Sequence, residues 1–272
     1  MRAIFLNILL SFFLAQQALA LPEVKDQGFL RVAVYKNYAP FSYRLNSKLV
    51  GVEVELAKLL AKKLHVDPLI WAIGADETMS DDLRNAIWKG HYLGGGTADV
   101  MLHVPINDNF AKANDHVIIG NPYFKEEIVA VRHNSSSSEG LMKLFANKLT
   151  GVELDTLSDF YMLGSMGGRY RENVRHYSSI ELAVEALKSR DITTVVGPRS
   201  QIESALSAMS DEYLFTAVNM PVNYQSSWVV GMAVKNGRSE LLEKLNVALD
   251  ELKQSGELAD LFNKYNTTYL LQ

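Results

Sequence analysis

The sequence contains no cysteine. That excludes disulfides, thiolate metal sites, c-type haem attachment and a lipidated N-terminal cysteine. An excess of one charge is also lacking. Lys+Arg number 27 against 31 Asp+Glu, a net charge of −4, whereas a nucleic-acid binder normally shows a basic excess. With 48% hydrophobic and 21% charged residues, the chain falls outside the disordered and low-complexity classes. No period of 20–50 residues repeats, which sets solenoids and propellers aside. Beyond the first twenty residues no apolar run approaches the ~18 residues a membrane span requires. Catalytic signatures are missing as well: there is no H-E-x-x-H, no G-x-S-x-G and no G-x-x-x-x-G-K-[ST]. Gly94-Gly95-Gly96 is not followed by Lys-[Ser/Thr] and reads as a turn. No two of the six histidines stand at i, i+4, so neither a metal site nor a cofactor is expected.

What is present begins with residues 1–20. Arg2 precedes an apolar run from Ala3 to Ala15, broken only by Asn7 and Ser11, and Ala18-Leu19-Ala20 closes it. A short apolar core followed by an A-x-A pattern predicts a signal peptide cleaved after Ala20. The alternative is a membrane anchor, for which the run is at the short end. Disulfide-free export of a chain large enough to bury its own core fits a bacterial periplasm.

The rest alternates in period. Phe29 to Tyr35, Leu69 to Ile73, Val100 to Val104, Ile128 to Val131, Phe160 to Leu163, Thr193 to Val196 and Trp228 to Val234 read as strands. Val52 to Leu64, Asp81 to Trp88, Leu141 to Leu149, Ile180 to Lys188, Ser200 to Met209, Leu241 to Gln254 and Leu258 to Tyr265 read as helices. A further helix start is expected after Gly167-Gly168, and Ser135 to Ser138 reads as a surface loop. Strand–helix alternation of this kind is the α/β signature, with a mainly parallel sheet.

Several segments, in order along the chain, resemble the bacterial extracellular solute-binding proteins of family 3. Asn37-Tyr38-Ala39-Pro40-Phe41 resembles the family's Y-x-P-F turn, and Gly51-Val52-Glu53-Val54-Glu55-Leu56-Ala57 its G-F-D-V-D-L-A helix entry. Ala98-Asp99-Val100-Met101 resembles its x-D-V-I strand, Asn121-Pro122-Tyr123-Phe124 its D-P-Y-Y crossover, and Trp228 to Leu258 its C-terminal return. The resemblance implies a two-lobed type II periplasmic binding protein with two crossover hinge strands. Residues 21–122 and 228–272 would form lobe one and 123–227 lobe two, with a solute held between them and hinge closure on binding. Asn121, Tyr123 and Trp228 would fall at the hinge.

Departures from the family pattern bear on the solute. Amino-acid binders of the family hold the α-carboxylate with an arginine in a T-P-E-R segment, which here reads Pro105-Ile106-Asn107-Asp108-Asn109-Phe110-Ala111-Lys112. A bidentate arginine fork is missing, and a lysine is a poor substitute. The family's ammonium-binding aspartate after a lobe-two strand is replaced by Gly197-Pro198-Arg199. The implied ligand residues are Tyr38, His103, Pro105 and Asn107 in lobe one and Ser165, Gly168, Arg169 and Arg199 in lobe two. Tyr38 would stack on the solute or else pack on its own lobe, and His103 would face the solute or satisfy a core. Arg169 beside a helix start would favour an anion, unless it is simply solvated.

The expected function is therefore capture of a small polar or anionic solute, not a standard α-amino acid, by a monomeric, non-enzymatic protein serving an inner-membrane ABC permease. The alternative is a periplasmic partner protein, for example of a quinoprotein dehydrogenase, with a repurposed cleft. The long, aromatic Asp82–Tyr92 segment suits that alternative.

Overall fold

A computed structural model describes residues 20–135, 140–221 and 225–271. The expected signal segment, apart from Ala20, and most of the Ser135–Ser138 loop lie outside the described residues. No described helix is long and apolar enough to cross a membrane. The chain divides into two compact units. Unit one holds the described residues up to Phe124 together with Val229–Leu261, and unit two holds Lys125–Trp228 with the residues from Phe262 onward.

In unit one, α1 (Ala20–Gln27) leads into β1 (Phe29–Tyr35), the hairpin β2 (Tyr43–Leu45) and β3 (Lys48–Val50), and α2 (Val52–Lys63). Then follow β4 (Asp67–Ile73), α3 (Met79–Leu83), a π-helical turn over Arg84–Trp88, β5 (Val100–Pro105) and α4 (Asp108–Ala113). The strand β1 pairs in parallel with β4 on one side and with β5 on the other. Pro68 lies inside β4, where a proline is tolerated because β4 is the edge strand of this sheet.

The 17-residue strand β6 (Val117–His133) carries the chain into unit two. There lie α5 (Leu141–Asn147), β7 (Thr150–Glu153), α6 (Leu157–Gly164), β8 (Val174–Tyr177), α7 (Ile180–Lys188), β9 (Thr194–Pro198), α8 (Arg199–Leu206) and β10 (Tyr213–Ala217). β11 (Ser227–Lys235) returns the chain to unit one, where it pairs antiparallel with β5, and α9 (Ser239–Gln254) and α10 (Glu257–Lys264) finish the fold. In the sheet of unit two, β6 runs antiparallel to β9 and β10, while β7 runs parallel to β8 and β9.

Alternation along β6 builds two cores. Val129 and Val131 pack with Ile180, Ala183, Val184 and Leu187 of α7. Ile128 and Ala130 face the other way, onto Phe145, Tyr161, Met162 and Tyr170. The helix α7 forms where its 180, 183, 184, 187 stripe predicts, capped by the Ser179 hydroxyl, which accepts from the Leu182 amide. Leu187→Ala should leave a cavity there and cost about 2–5 kcal/mol of stability, read from the urea midpoint.

Two expected elements are corrected. Phe160 to Leu163 is not a strand but part of α6, started by Thr156, whose side chain accepts from Asp159 N. No α-helix begins after Gly167-Gly168. Met166, Gly167 and Gly168 take left-handed φ of 49°, 68° and 82°, and only a three-residue 3₁₀ turn, Arg171–Asn173, follows.

Candidate functional site

The strands β1, β4 and β5 run parallel, so their carboxyl ends share one edge of the unit-one sheet. Open α/β sheets gather ligand-binding groups at that edge. A cavity of about 390 Å³ lies there, lined by Tyr35, Lys36, Asn37, Tyr38, Ile73, Ala75, Met79 and His103. Its polar walls carry one lysine and one histidine and no carboxylate.

Tyr38 is set by a tight loop in which it exchanges backbone hydrogen bonds with Ser42 at 2.7 and 2.8 Å. Its ring stacks on Phe41 at 5.3 Å and meets the His103 ring nearly perpendicularly at 4.7 Å. Phe41 closes the cluster at 4.5 Å from His103. The Tyr35 hydroxyl donates to Asp82 Oδ2 at 2.6 Å, and Asp82 Oδ1 accepts the Asp76 amide at 2.7 Å, so the loop after β4 is fixed to the end of β1. Burial pushes the Tyr35 phenol far above its ordinary value, and the bond to Asp82 and that carboxylate's charge add to it.

His103 is the most constrained residue of the site. Its φ is +62°, a left-handed conformation that costs a residue other than glycine of order 1–3 kcal/mol. It sits where the register of β5 against β11 slips: Met101 pairs with Ala233 and Val104 with Gly231. Such a bulge re-aims a side chain. The imidazole Nδ1 lies 2.6 Å from Glu53 Oε1, and the backbone amide donates to the Tyr123 hydroxyl at 2.8 Å. That hydroxyl in turn donates to Glu53 Oε1 at 2.5 Å. Glu53 is completely buried in the first turn of α2, and its Oε2 has no hydrogen-bond partner among the described residues. Tyr123 is pushed well above the usual phenol range, first by burial and then by the charge and hydrogen bond of Glu53.

The other expected site residues stand as follows. Pro105 ends β5, and Asn107 caps α4, its Oδ1 accepting the Phe110 amide at 3.0 Å. Asn121, at φ +53°, donates to Leu242 O at 2.8 Å. Trp228 packs on the second core of unit two. Ser165 ends α6 in extended backbone, and Gly168 lies in the left-handed segment that follows, with Arg171 against it. Arg169 is exposed and forms no ion pair among the described residues. Without an α-helix starting beside it, the dipole argument for an anion there lapses. Arg199 is engaged: Nη1 meets Glu127 Oε1 at 2.6 Å and Nε meets Glu203 Oε1 at 2.7 Å. Burial would lower its pKa, but the two carboxylates more than offset that and raise it.

Tyr38 and His103, which the family resemblance singled out, both line the sheet-edge cavity; Glu53, Lys36 and Met79 were passed over. For Glu53 a signal existed. It shares the stripe of Ala57 and Leu60, both buried, so a carboxylate stands on the helix face that should be apolar. Asp99 proves structural: Oδ2 accepts the Arg31 amide at 2.9 Å and Oδ1 accepts from Arg238 at 2.6 Å. A second cavity of about 470 Å³ lies beyond β4, between Trp71, Asp76, Asp82, Asn85 and His91.

The L-cystine-binding protein TcyJ of Escherichia coli K12 is 27% identical over 252 residues, covering 90% of this chain and 85% of that protein. Among solved structures, the ancestral cationic amino acid solute binding protein AncCDT-1 superposes with a TM-score of 0.70 at 20% identity, covering 91% of this chain and 99% of that one. The L-cystine solute receptor of Neisseria gonorrhoeae, in its unliganded open conformation, gives 0.66 at 19% identity over 93% and 99%. These two likenesses establish the α/β binding-protein fold. The family model for bacterial extracellular solute-binding proteins, family 3, matches residues 30–268, and the chain therefore belongs to that family.

Proposed function

We propose that the protein captures a small anionic solute other than a standard α-amino acid and hands it, as a monomer, to an inner-membrane ABC permease. Export to the periplasm with cleavage after Ala20 is part of this reading. The carrying observation is the lining of the 390 Å³ cavity in unit one: Lys36 and His103 among rings, with no carboxylate. An α-amino acid presents two opposite charges and needs a group for each. This cavity holds no acid for an ammonium and no arginine for a carboxylate, and in unit two Arg199 is already matched by Glu127 and Glu203. Arg169, exposed and without an ion pair among the described residues, stays the candidate of unit two for a negative group, and Asn121, Tyr123 and Trp228 stay candidates for the hinge.

The named relatives make amino acids the rival solutes. A thermal-shift panel should therefore set L-cystine, L-arginine and L-histidine beside mono- and dicarboxylates. A ligand at 100 times its Kd adds about 2.7 kcal/mol of stability, so a true solute gives a plain rise in Tm. Stabilisation by carboxylates alone is expected. Stabilisation by an amino acid would discard the anionic reading and restore the family's usual one.

One observation favours a second reading, docking to a protein. Tyr92 and Leu93 are 82% and 77% exposed at the tip of the glycine-rich loop after the π-helical turn. If this loop serves a permease or a periplasmic partner, changing both residues to serine should leave solute affinity intact and abolish that association.

A further inference from the structure

This inference rests on the solute-binding reading and concerns how the unit-one cavity recognises charge. We propose that Glu53 and Tyr123 hold His103 as an anion anchor, and that the solute is an aromatic or apolar monocarboxylate whose carboxylate accepts from His103 Nε2–H.

Glu53 is wholly buried, and two partners, His103 Nδ1 and the Tyr123 hydroxyl, converge on its single oxygen Oε1. A carboxylate taken out of water requires a compensating charge or a proton. No lysine or arginine forms an ion pair with Glu53 among the described residues, and the basic group placed against it is the imidazole of His103, whose Nδ1 lies 2.6 Å from Oε1. A ring that donates through Nδ1 and carries the compensating charge has one N–H left, at Nε2, and His103 lines the cavity. The Tyr38 and Phe41 rings meet the imidazole edge to face, and the Tyr123 hydroxyl is spent on Glu53 and on the His103 amide.

The ionisable groups around the ring agree in sign. Tyr35, Tyr38 and Tyr123 are phenols; Lys36 is the one lysine or arginine among the lining residues; and the Asp82 carboxylate accepts the Tyr35 hydroxyl. The backbone supports the same assignment, because a left-handed residue on a bulge is retained where the position of its side chain matters. The apolar part of the solute would meet Tyr38, Tyr35, Ile73 and Met79. Glu53 and Tyr123 are positioning residues, since both act through His103.

The test uses the mature chain and two probes of nearly equal shape and opposite charge, phenylacetate and phenethylamine. Calorimetry should show phenylacetate binding and phenethylamine silent. His103→Asn keeps a residue tolerant of left-handed φ and should lower phenylacetate affinity at least tenfold. Ring nitrogen NMR of 15N-histidine-labelled protein, with the His103 signal assigned through that variant, reads the proposed state directly. Both nitrogens of His103 should carry protons in the phenylacetate complex, and Glu53→Gln should abolish that signature, an effect that loss of packing alone would not produce. A His103 ring bare at Nε2 in the wild-type complex, phenethylamine binding in place of phenylacetate, or neither probe binding would each overturn the proposal. If other carboxylates of the panel bind and His103→Asn binds them equally well, the anchor is wrong while the solute-binding reading stands.

Discussion

Replacing Gly51 with alanine is expected to cost about 3–5 kcal/mol, from overpacking and from a forbidden backbone acting together. Gly51 precedes α2 with φ 133° and ψ 170°, a region essentially restricted to glycine. A Cβ there would lie 2.2 Å from the Phe41 carbonyl oxygen and 2.8 Å from that of Pro40, both backbone atoms unable to swing aside. Those same carbonyls accept the first amides of α2, Val52 N at 3.0 Å and Glu53 N at 2.9 Å, in place of a side-chain cap. The glycine thus lets the Tyr38–Phe41 loop close on the helix that carries Glu53. Gly94→Ala is the matched control. Its φ is +93° with nothing within 4 Å of an added Cβ, so only the backbone term of about 1–2 kcal/mol applies. Chemical denaturation of the two variants should separate them clearly. Equal losses would mean that the loop retreats from Gly51 without consequence.

Elements with one-sided periodicity were legible before the fold. Ile180–Lys188 stands where its apolar stripe puts it, because four buried positions at helical spacing leave no other solution. The four-residue run Phe160–Leu163 carried no such information. A run that short fits a strand or a helix, and the Thr156 cap decided for the helix. The first half of β6 was reached only through the family resemblance, as the Asn121-Pro122-Tyr123-Phe124 crossover, and not through periodicity. Asn121 is held there in a left-handed conformation by its bond to Leu242 O, 121 residues away.

The site divides in the same manner. Tyr38 and His103 could be named because motif resemblance singled out the turn after β1 and the strand β5. What makes His103 unusual could not be read. Its contacts with Glu53 and Tyr123 span 50 and 20 residues of sequence, and the Tyr123–Glu53 bond spans 70. No local pattern reports a convergence of that kind. The bulge that turns the ring arises from a register slip between two strands, which is a property of the pair and of neither sequence alone.

Above pH 10 the protein should lose stability steeply, and the loss should originate in unit one. Tyr35 and Tyr123 both have phenols raised by burial, then by their bonds to and the charge of Asp82 and Glu53. A folded-state pKa above the unfolded value of about 10 means that the folded protein keeps a proton the unfolded chain releases. Stability is therefore full below pH 10 and falls as pH rises beyond it, by about 1.4 kcal/mol per pH unit for each such phenol. Two such phenols double that slope, a large effect against the 5–15 kcal/mol typical of a folded domain. Tyr269, in unit two, is raised to about 12 by burial alone and adds to the slope in the same direction. Urea midpoints measured from pH 8 to 11.5 give the slope. Tyr123→Phe should flatten it by one phenol's worth, at the cost of removing one of the two groups that meet Glu53 Oε1 and leaving His103 there. That variant then couples the two halves of the site. If the buried carboxylate is neutralised chiefly by His103, Tyr123→Phe remains folded at neutral pH and gains resistance to alkali. If the Tyr123 proton is what Glu53 depends on, the variant loses several kcal/mol at pH 7 as well.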